Sequence, residues 1–429
     1  MEMKGKRKDR GISRRSFLKA AAVAGAGATF GFPAVLRGAS PKEIIIGSIQ
    51  PVTGPLPDIG IAMQRGNKMA VDDVNARGGI KSMGGAKLKL LLGDCEAKED
   101  VGRIVAERQI REGAVCLVGP FLSGVAMAIA TLSEQRDTPF VIDVAALDAI
   151  TAKGYKNVFR CFPKTEYFMT SMGRYLDLII KEKKVSIKRI AVTNTGDAFG
   201  RGQGAAFIKY VKDNRLPFEI VEHIEYPMGV KDLSAEVAKM KAAKPDLLCP
   251  VARPGDAKLL IRELYKQRVE LMGVISPGSP GWYEPEFVRD MDKLADYVLD
   301  NVPWVNPKSP TYKEVNTRFE KLYPGKYIDT NSGYAYLGVL VIADALERAK
   351  STTPEALREA LRKTNFKNHP MVGGPVVFDA KGDNINATTA MIQVLPDPSM
   401  DQRVKVVLPK EAATVPYVFP WKQLWERGV

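Results

Sequence analysis

Residues able to carry covalent or redox chemistry are sparse in this chain. Its four cysteines, Cys95, Cys116, Cys161 and Cys249, show no C-x-x-C spacing, and its histidines are His223 and His369 alone. Zinc of the ordinary kind needs three or four such ligands converging on one point, so no metal site is expected and histidine-cluster chemistry is excluded. His223 falls in an alternating strand pattern and His369 in a Lys-Asn-His-Pro loop, positions that suit a structural or solvated side chain better than a general base. No G-x-S-x-G, H-E-x-x-H or Walker sequence occurs. Asp72 and Asp73 are adjacent on a helical pattern, point to different faces and read as surface charges. One pattern has to be weighed. Gly200-Arg201-Gly202-Gln203-Gly204-Ala205 satisfies G-x-G-x-x-A between a strand and a helix, with Glu219 and Glu222 near the distance of a ribose-binding acid. Pyrophosphate binding needs the glycines to turn directly off the strand, whereas Asn194 to Phe199 intervene here. Glycines opening a helix after a polar loop are the expected reading, and no cofactor is expected.

Binding groups are then to be sought in loops, which the order of elements positions. From Glu43, short apolar runs alternate with helical patterns: strands near 44–49, 88–92, 115–118 and 140–142, separated by helices at 58–76, 101–111 and 123–133. The rhythm restarts after Phe159 to Phe162, with helices at 166–181, 202–213, 233–243 and 256–267. Its strands fall at 189–193, 218–225, 247–251, 271–275 and 297–302. Continuous apolar strands with a helix between each pair mean parallel sheets covered on both faces. The fold class is therefore α/β, two doubly wound lobes. After Pro303 come helices at 310–322, 332–350 and 354–363 and strand candidates at 375–378, 390–395 and 404–408, so the chain is expected to cross back between lobes. Phe168, Tyr175, Phe207 and Tyr210 have the spacing of a core stripe. Ligands of such folds sit at the carboxyl ends of strands, here the loops 50–60, 119–123, 143–148, 194–200, 252–255 and 276–282. Ser123 opens a helix, where a hydroxyl and unpaired N–H groups receive an anion or simply cap the turn.

The composition is ordinary for a globular protein, with 45% hydrophobic and 26% charged residues. The net charge of +14 is uneven: nine Lys or Arg against two acids place half of it in residues 1–40, so no nucleic-acid partner is inferred. Ser13-Arg14-Arg15-Ser16-Phe17-Leu18-Lys19 precedes the uncharged, Ala- and Gly-rich run Ala20 to Leu36, too weakly apolar for a stable membrane anchor. This stretch resembles a twin-arginine signal, with Arg14 and Arg15 as the export pair. Residues 1–39 are expected to be a signal peptide, the translocation machinery a partner and the periplasm the destination. Disulfides are optional after cytoplasmic folding. Cys95 and Cys116 are candidate neighbours, and buried free thiols are the expected state.

The loops themselves resemble a known family. Gly47-Ser48-Ile49-Gln50-Pro51-Val52-Thr53-Gly54-Pro55, Asp72 to Ile80, Val118-Gly119-Pro120 with Ser123, Thr151 to Tyr155, Asp197 to Gly202 and Gly374 to Asp379 are similar, in order, to segments of branched-chain amino-acid-type periplasmic binding proteins of ABC transporters. The resemblance implies two lobes joined by three hinge crossings, with 42–160 and 303–371 as one lobe and 162–300 and 373–429 as the other. It implies capture of a small molecule in the cleft, delivery to a membrane permease, and no catalysis. It places Asp58 and Ile59 on the first loop, and Ser123, Val144 and Ala146 against a ligand carboxylate, with Phe199, Arg253, Ser276 and Tyr336 from other segments. Two departures bear on the ligand. Where amino-acid binders place an acid for the substrate ammonium this chain reads Val274-Ile275-Ser276-Pro277, and Arg253 adds a cation suited to carboxylate. Aromatic or branched aliphatic acids lead, with Phe121 and Trp282 as further wall residues and an amino acid as the remaining choice. That Arg253 merely caps a helix or pairs with Asp256 outside the cleft is the rival reading of that cation. An exported cofactor-dependent oxidoreductase and a ligand sensor are the rival functions.

Overall fold

The computed structural model describes residues 41–399 and 403–428, so Arg14, Arg15 and the rest of the expected signal peptide lie outside the described residues. In chain order the first series is β1 (Glu43–Gln50), α1 (Pro57–Ala76), β2 (Lys87–Asp94), α2 (Glu99–Arg111), β3 (Cys116–Gly119), α3 (Ser123–Gln135), β4 (Phe140–Ile142), α4 (Ala149–Ala152) and β5 (Val158–Arg160). The second is α5 (Thr165–Lys183), β6 (Arg189–Thr195), α6 (Ala198–Asp213), β7 (Glu219–Tyr226), α7 (Ser234–Ala242), β8 (Leu247–Val251), α8 (Pro254–Lys266), β9 (Gly273–Ser276), α9 (Pro285–Met291) and β10 (Leu299–Val302). The chain ends with α10 (Pro310–Leu322), α11 (Thr330–Ala349), α12 (Pro354–Arg362), β11 (Ala390–Val394) and β12 (Val404–Leu408). Local chemistry fixes many of these starts. Proline opens α1, α8, α9, α10 and α12, where its missing N–H costs nothing. Asp197 caps α6 by accepting from the Gly200 N–H at 2.7 Å.

Two sheets result. One has the order β2-β1-β3-β4-β5 and is parallel throughout. The other runs β7-β6-β8-β9-β10-β11-β12 and is parallel as far as β10, with β11 and β12 added antiparallel at the edge. Every residue of β3 and β4 is buried, as parallel strands covered on both faces require. The four cysteines are buried and free, in line with the thiol expectation. No helix of the described residues is long and apolar enough to cross a membrane.

Helices α10 to α12 return to the first sheet. There α11 lies on α1 so closely that a Cβ at Gly66 would stand 2.2 Å from the Ser332 carbonyl oxygen. Asn67 Nδ2 donates to Ala335 O at 2.8 Å in the same contact. Tyr336 Oη donates to Asp73 Oδ2 at 2.8 Å, and Arg318 pairs with the same carboxylate. Asp73, expected on the surface, is thus 5% exposed and holds two helices to the first.

The strand expected at 375–378 does not form; Val376 and Phe378 make isolated bridges to Phe366 and Asn384. This stretch runs beside β5 instead. Arg160 N donates to Gly382 O at 2.7 Å, Asn384 N to Arg160 O at 3.1 Å, and the Phe378 ring centroid is 5.3 Å from that of Phe159. Phe378, Gly382 and Asn384, in the segment expected with the second lobe, thus contact β5 of the first sheet. The chain joins the second sheet at Thr389, whose hydroxyl donates to Asn301 Oδ1 at 2.6 Å and whose carbonyl accepts from Tyr175 Oη at 2.9 Å.

Candidate functional site

The loops that follow β3, β4, β6, β8 and β9 meet in one cavity between the two sheets. Phe121, Val144 and Ala146 come from the first sheet, and Phe199, Arg253 and the turn Gly278-Ser279-Pro280 with Tyr283 from the second. Phe162, Phe168, Val302 and Asn331, at or beside the crossings, complete the wall. The rings of Phe121, Phe162, Phe168, Phe199 and Tyr283 crowd this wall, and about 30 Å³ of space remains within it.

Arg253 is the fixed charge of this wall. Its Nε and Nη2 donate to Asp197 Oδ2 at 3.1 and 2.5 Å, and its guanidinium stands 5.1 Å from the Phe121 centroid and 4.9 Å from that of Phe199. Arg253 caps α8, its backbone N–H donating to Asp256 at 3.4 Å as the rival reading has it, while its side chain pairs with Asp197 in the wall rather than with Asp256. Beyond this partition lies a second cavity of about 310 Å³, between Ala97, Glu99 and Ser123 on one side and Asp197, Arg201 and Met228 on the other.

Val144, Ala146, Phe199 and Arg253 thus meet in one place, together with Phe121. Ser123 faces the second cavity, and its hydroxyl accepts from the Leu147 N–H at 3.4 Å. Ser276 lies one layer deeper: it is fully buried and its Oγ accepts from Gly278 N at 3.1 Å, supporting the turn rather than lining it. Asp58 and Ile59, at the start of α1, line neither cavity, and Ile59 is 2% exposed. Tyr336 is turned away toward Asp73, and Trp282 is buried edge-on against Phe287 at 5.3 Å. Phe162, Phe168, Tyr283 and Asn331 were not anticipated as wall residues. Phe168 has the spacing of a core residue and is one, with a single edge left to the cavity.

The glycine pattern at 200–205 lies within the first turns of α6. A Cβ at Gly200 would stand 2.0 Å from Thr195 O, and one at Gly204 2.6 Å from Asn194 Oδ1. These glycines let α6 press against β6, a packing role.

Beneath the 143–148 loop, Asp143 is fully buried at the end of β4, with Gln50 Nε2 donating to its Oδ2 at 2.7 Å. Desolvation pushes its pKa up to about 7 against the Gln50 hydrogen bond, which lowers it. The folded protein then binds a proton there that the unfolded chain releases near pH 4, so this group's contribution to stability falls as pH rises from about 4 to 7 and is flat above. Asp143→Asn is expected to remove that decline. Denaturant midpoints of the two proteins, compared between pH 4 and 8, should diverge in the variant's favour up to pH 7; parallel curves would show that Asp143 titrates normally.

Residues 43–397 match the family model described as periplasmic binding protein, and residues 11–31 match the twin-arginine translocation pathway signal sequence. The chain belongs to the periplasmic binding protein family; it is an exported binding protein of the periplasm, not an enzyme. It is 27% identical over 403 residues to Leu/Ile/Val-binding protein homolog 7 of Brucella suis, covering 89% of this chain and 95% of that protein. Among solved structures it resembles the branched-chain amino acid transporter substrate binding protein LivJ of Streptococcus pneumoniae in complex with isoleucine. There the TM-score is 0.72 at 20% identity, over 86% of this chain and all of that one. A solute binding protein of an ABC transporter from Rhodopseudomonas palustris, in complex with 3,4-dihydroxy benzoic acid, matches with TM-score 0.70 at 20% identity, over 83% and 94%.

Proposed function

We propose that this protein captures a small organic acid with an aromatic or branched aliphatic body in the interlobe cavity and delivers it to an ABC permease. The observation that carries the reading is a single guanidinium set in a wall of aromatic rings. Asp197 engages Nε and Nη2, while Nη1 has no acceptor among the described residues and suits a carboxylate. The turn at 277–280 supplies no acid for an ammonium, and burial, with neighbouring acids, pushes the Glu284 carboxyl, next to Tyr283, well above the usual carboxylate range. Without an acid in that turn, acids lacking an α-amino group are favoured. The relatives named for leucine, isoleucine and valine, and the relative bound to a dihydroxybenzoate, frame the two body types. For the lobes we propose 42–160 with 303–387, and 162–300 with 390–428, which keeps the β5 contacts within one body.

Calorimetry with 4-methylpentanoate and 3-phenylpropionate, beside their amides and α-amino derivatives, tests the proposal. The acids should bind more tightly than either derivative. Arg253→Ala should weaken them about ten- to hundredfold, as expected for a hydrogen bond to a charged group of about 1.5–3 kcal/mol. Tighter binding of leucine than of 4-methylpentanoate, or unchanged affinity in the variant, overturns the reading.

A further inference from the structure

Within the cavity wall one buried acceptor is left without a donor among the described residues. Asn331 is 1% exposed, and its Oδ1 is buried with no hydrogen bond from them. Its amide nitrogen is committed: Nδ2 donates to Glu284 Oε1 at 2.8 Å. This contact orients the amide and leaves an acceptor in the wall that Tyr283 and Asn331 share with the aromatic rings. Burying an acceptor unpaired costs free energy that a guest can recover by donating to it.

We infer that Asn331, oriented by Glu284, reads a hydrogen-bond donor on the ligand, and that the preferred acid carries a hydroxyl in addition to its carboxylate. This rests on the reading of the cavity as an organic-acid site. The donor should be neutral, because Asn331 Oδ1 bears no formal charge and the neighbouring Glu284 Oε1 already accepts from Asn331 Nδ2. A phenol is the group that meets both the aromatic wall and this acceptor. It would do so in the way sites built around a substrate hydroxyl discriminate against the analogue lacking it.

The test compares 3-phenylpropionate, 3-(4-hydroxyphenyl)propionate and benzoate with 3- and 4-hydroxybenzoate by calorimetry on the mature protein. At least one hydroxylated acid should bind about ten- to hundredfold more tightly than its parent. In Asn331→Leu, close in volume, that ratio should collapse toward one whatever the parent acids' own affinity becomes, with thermal melting showing that the variant is folded. The wild-type ratios carry the test even if that variant does not fold. Equal affinities across both series, a ratio unchanged in folded Asn331→Leu, or tighter binding of 3-(4-aminomethylphenyl)propionate than of the phenol, would each overturn the inference. Failure of every acid to bind at millimolar concentration would instead sink the organic-acid reading on which it rests. Binding of parent acids without hydroxyl preference would sink the inference alone.

Discussion

Asp383→Ala is expected to lower the free energy of unfolding by about 3–5 kcal/mol, the cost of breaking a buried ion pair by removing one partner. The Arg160 side chain is fully buried and that of Asp383 is 4% exposed. Arg160 Nε and Nη2 donate to Asp383 Oδ1 at 2.9 and 2.7 Å, and further N–H groups reach Thr151 Oγ1 at 2.6 Å and Leu147 O at 2.9 Å. Alanine would leave the guanidinium out of water with neutral acceptors alone. The double variant Arg160→Met with Asp383→Leu should recover most of the loss, because a buried pair replaced by apolar groups of similar volume is often near neutral. Chemical denaturation of the three proteins decides this. A loss below about 1 kcal/mol in Asp383→Ala would show the site to be hydrated and the pair to behave like a surface one.

The second large effect concerns location. Changing Arg14 and Arg15 together to lysine should leave nearly all of the precursor in the cytoplasm, although the charge of the signal is unaltered. The pair lies within residues 11–31, which match the twin-arginine signal. A planar guanidinium with a fixed fork of donors is not replaced by a compact ammonium where geometry is read. Cell fractionation followed by immunoblotting measures the outcome, and normal periplasmic accumulation of the lysine form would overturn it. Unchanged melting of the mature domain would separate this effect from any on folding.

The α/β alternation could be read locally because parallel strands buried on both faces leave unbroken apolar runs, and the helices between them are amphipathic. Where the reading failed, the cause lies beyond local pattern. Pro375 to Phe378 has the composition of a strand, yet its neighbours are Phe366 and Asn384, and tertiary placement beside β5 overrides propensity. Tyr336 sits on a helix that is buried on nearly every side, so no periodicity marks which face meets the cleft. Phe162 and Asn331 enter the wall because the crossings bring them there, and crossings are set by contacts between residues far apart in sequence. The Arg253–Asp197 pair was within reach: both residues follow strands, β8 and β6, that a doubly wound order sets side by side. Reading Arg253 alone, without asking which loop faces it, missed its counter-ion.

The way the chain laces the two lobes together also orders its birth. The edge strand β5 is complete by residue 160, but the residues that cover it, Gly382 to Asn384, are synthesised more than two hundred positions later. The helix α11 that covers α1 begins at residue 330, and the second sheet waits for β11 and β12. Neither half is therefore finished until about nine-tenths of the chain has been made, and the second waits for the C-terminal tenth that follows. For a protein addressed to a route that carries folded cargo, this makes completion of synthesis a precondition of departure: a truncated chain would keep the address at its N-terminus yet lack the segments that seal both bodies.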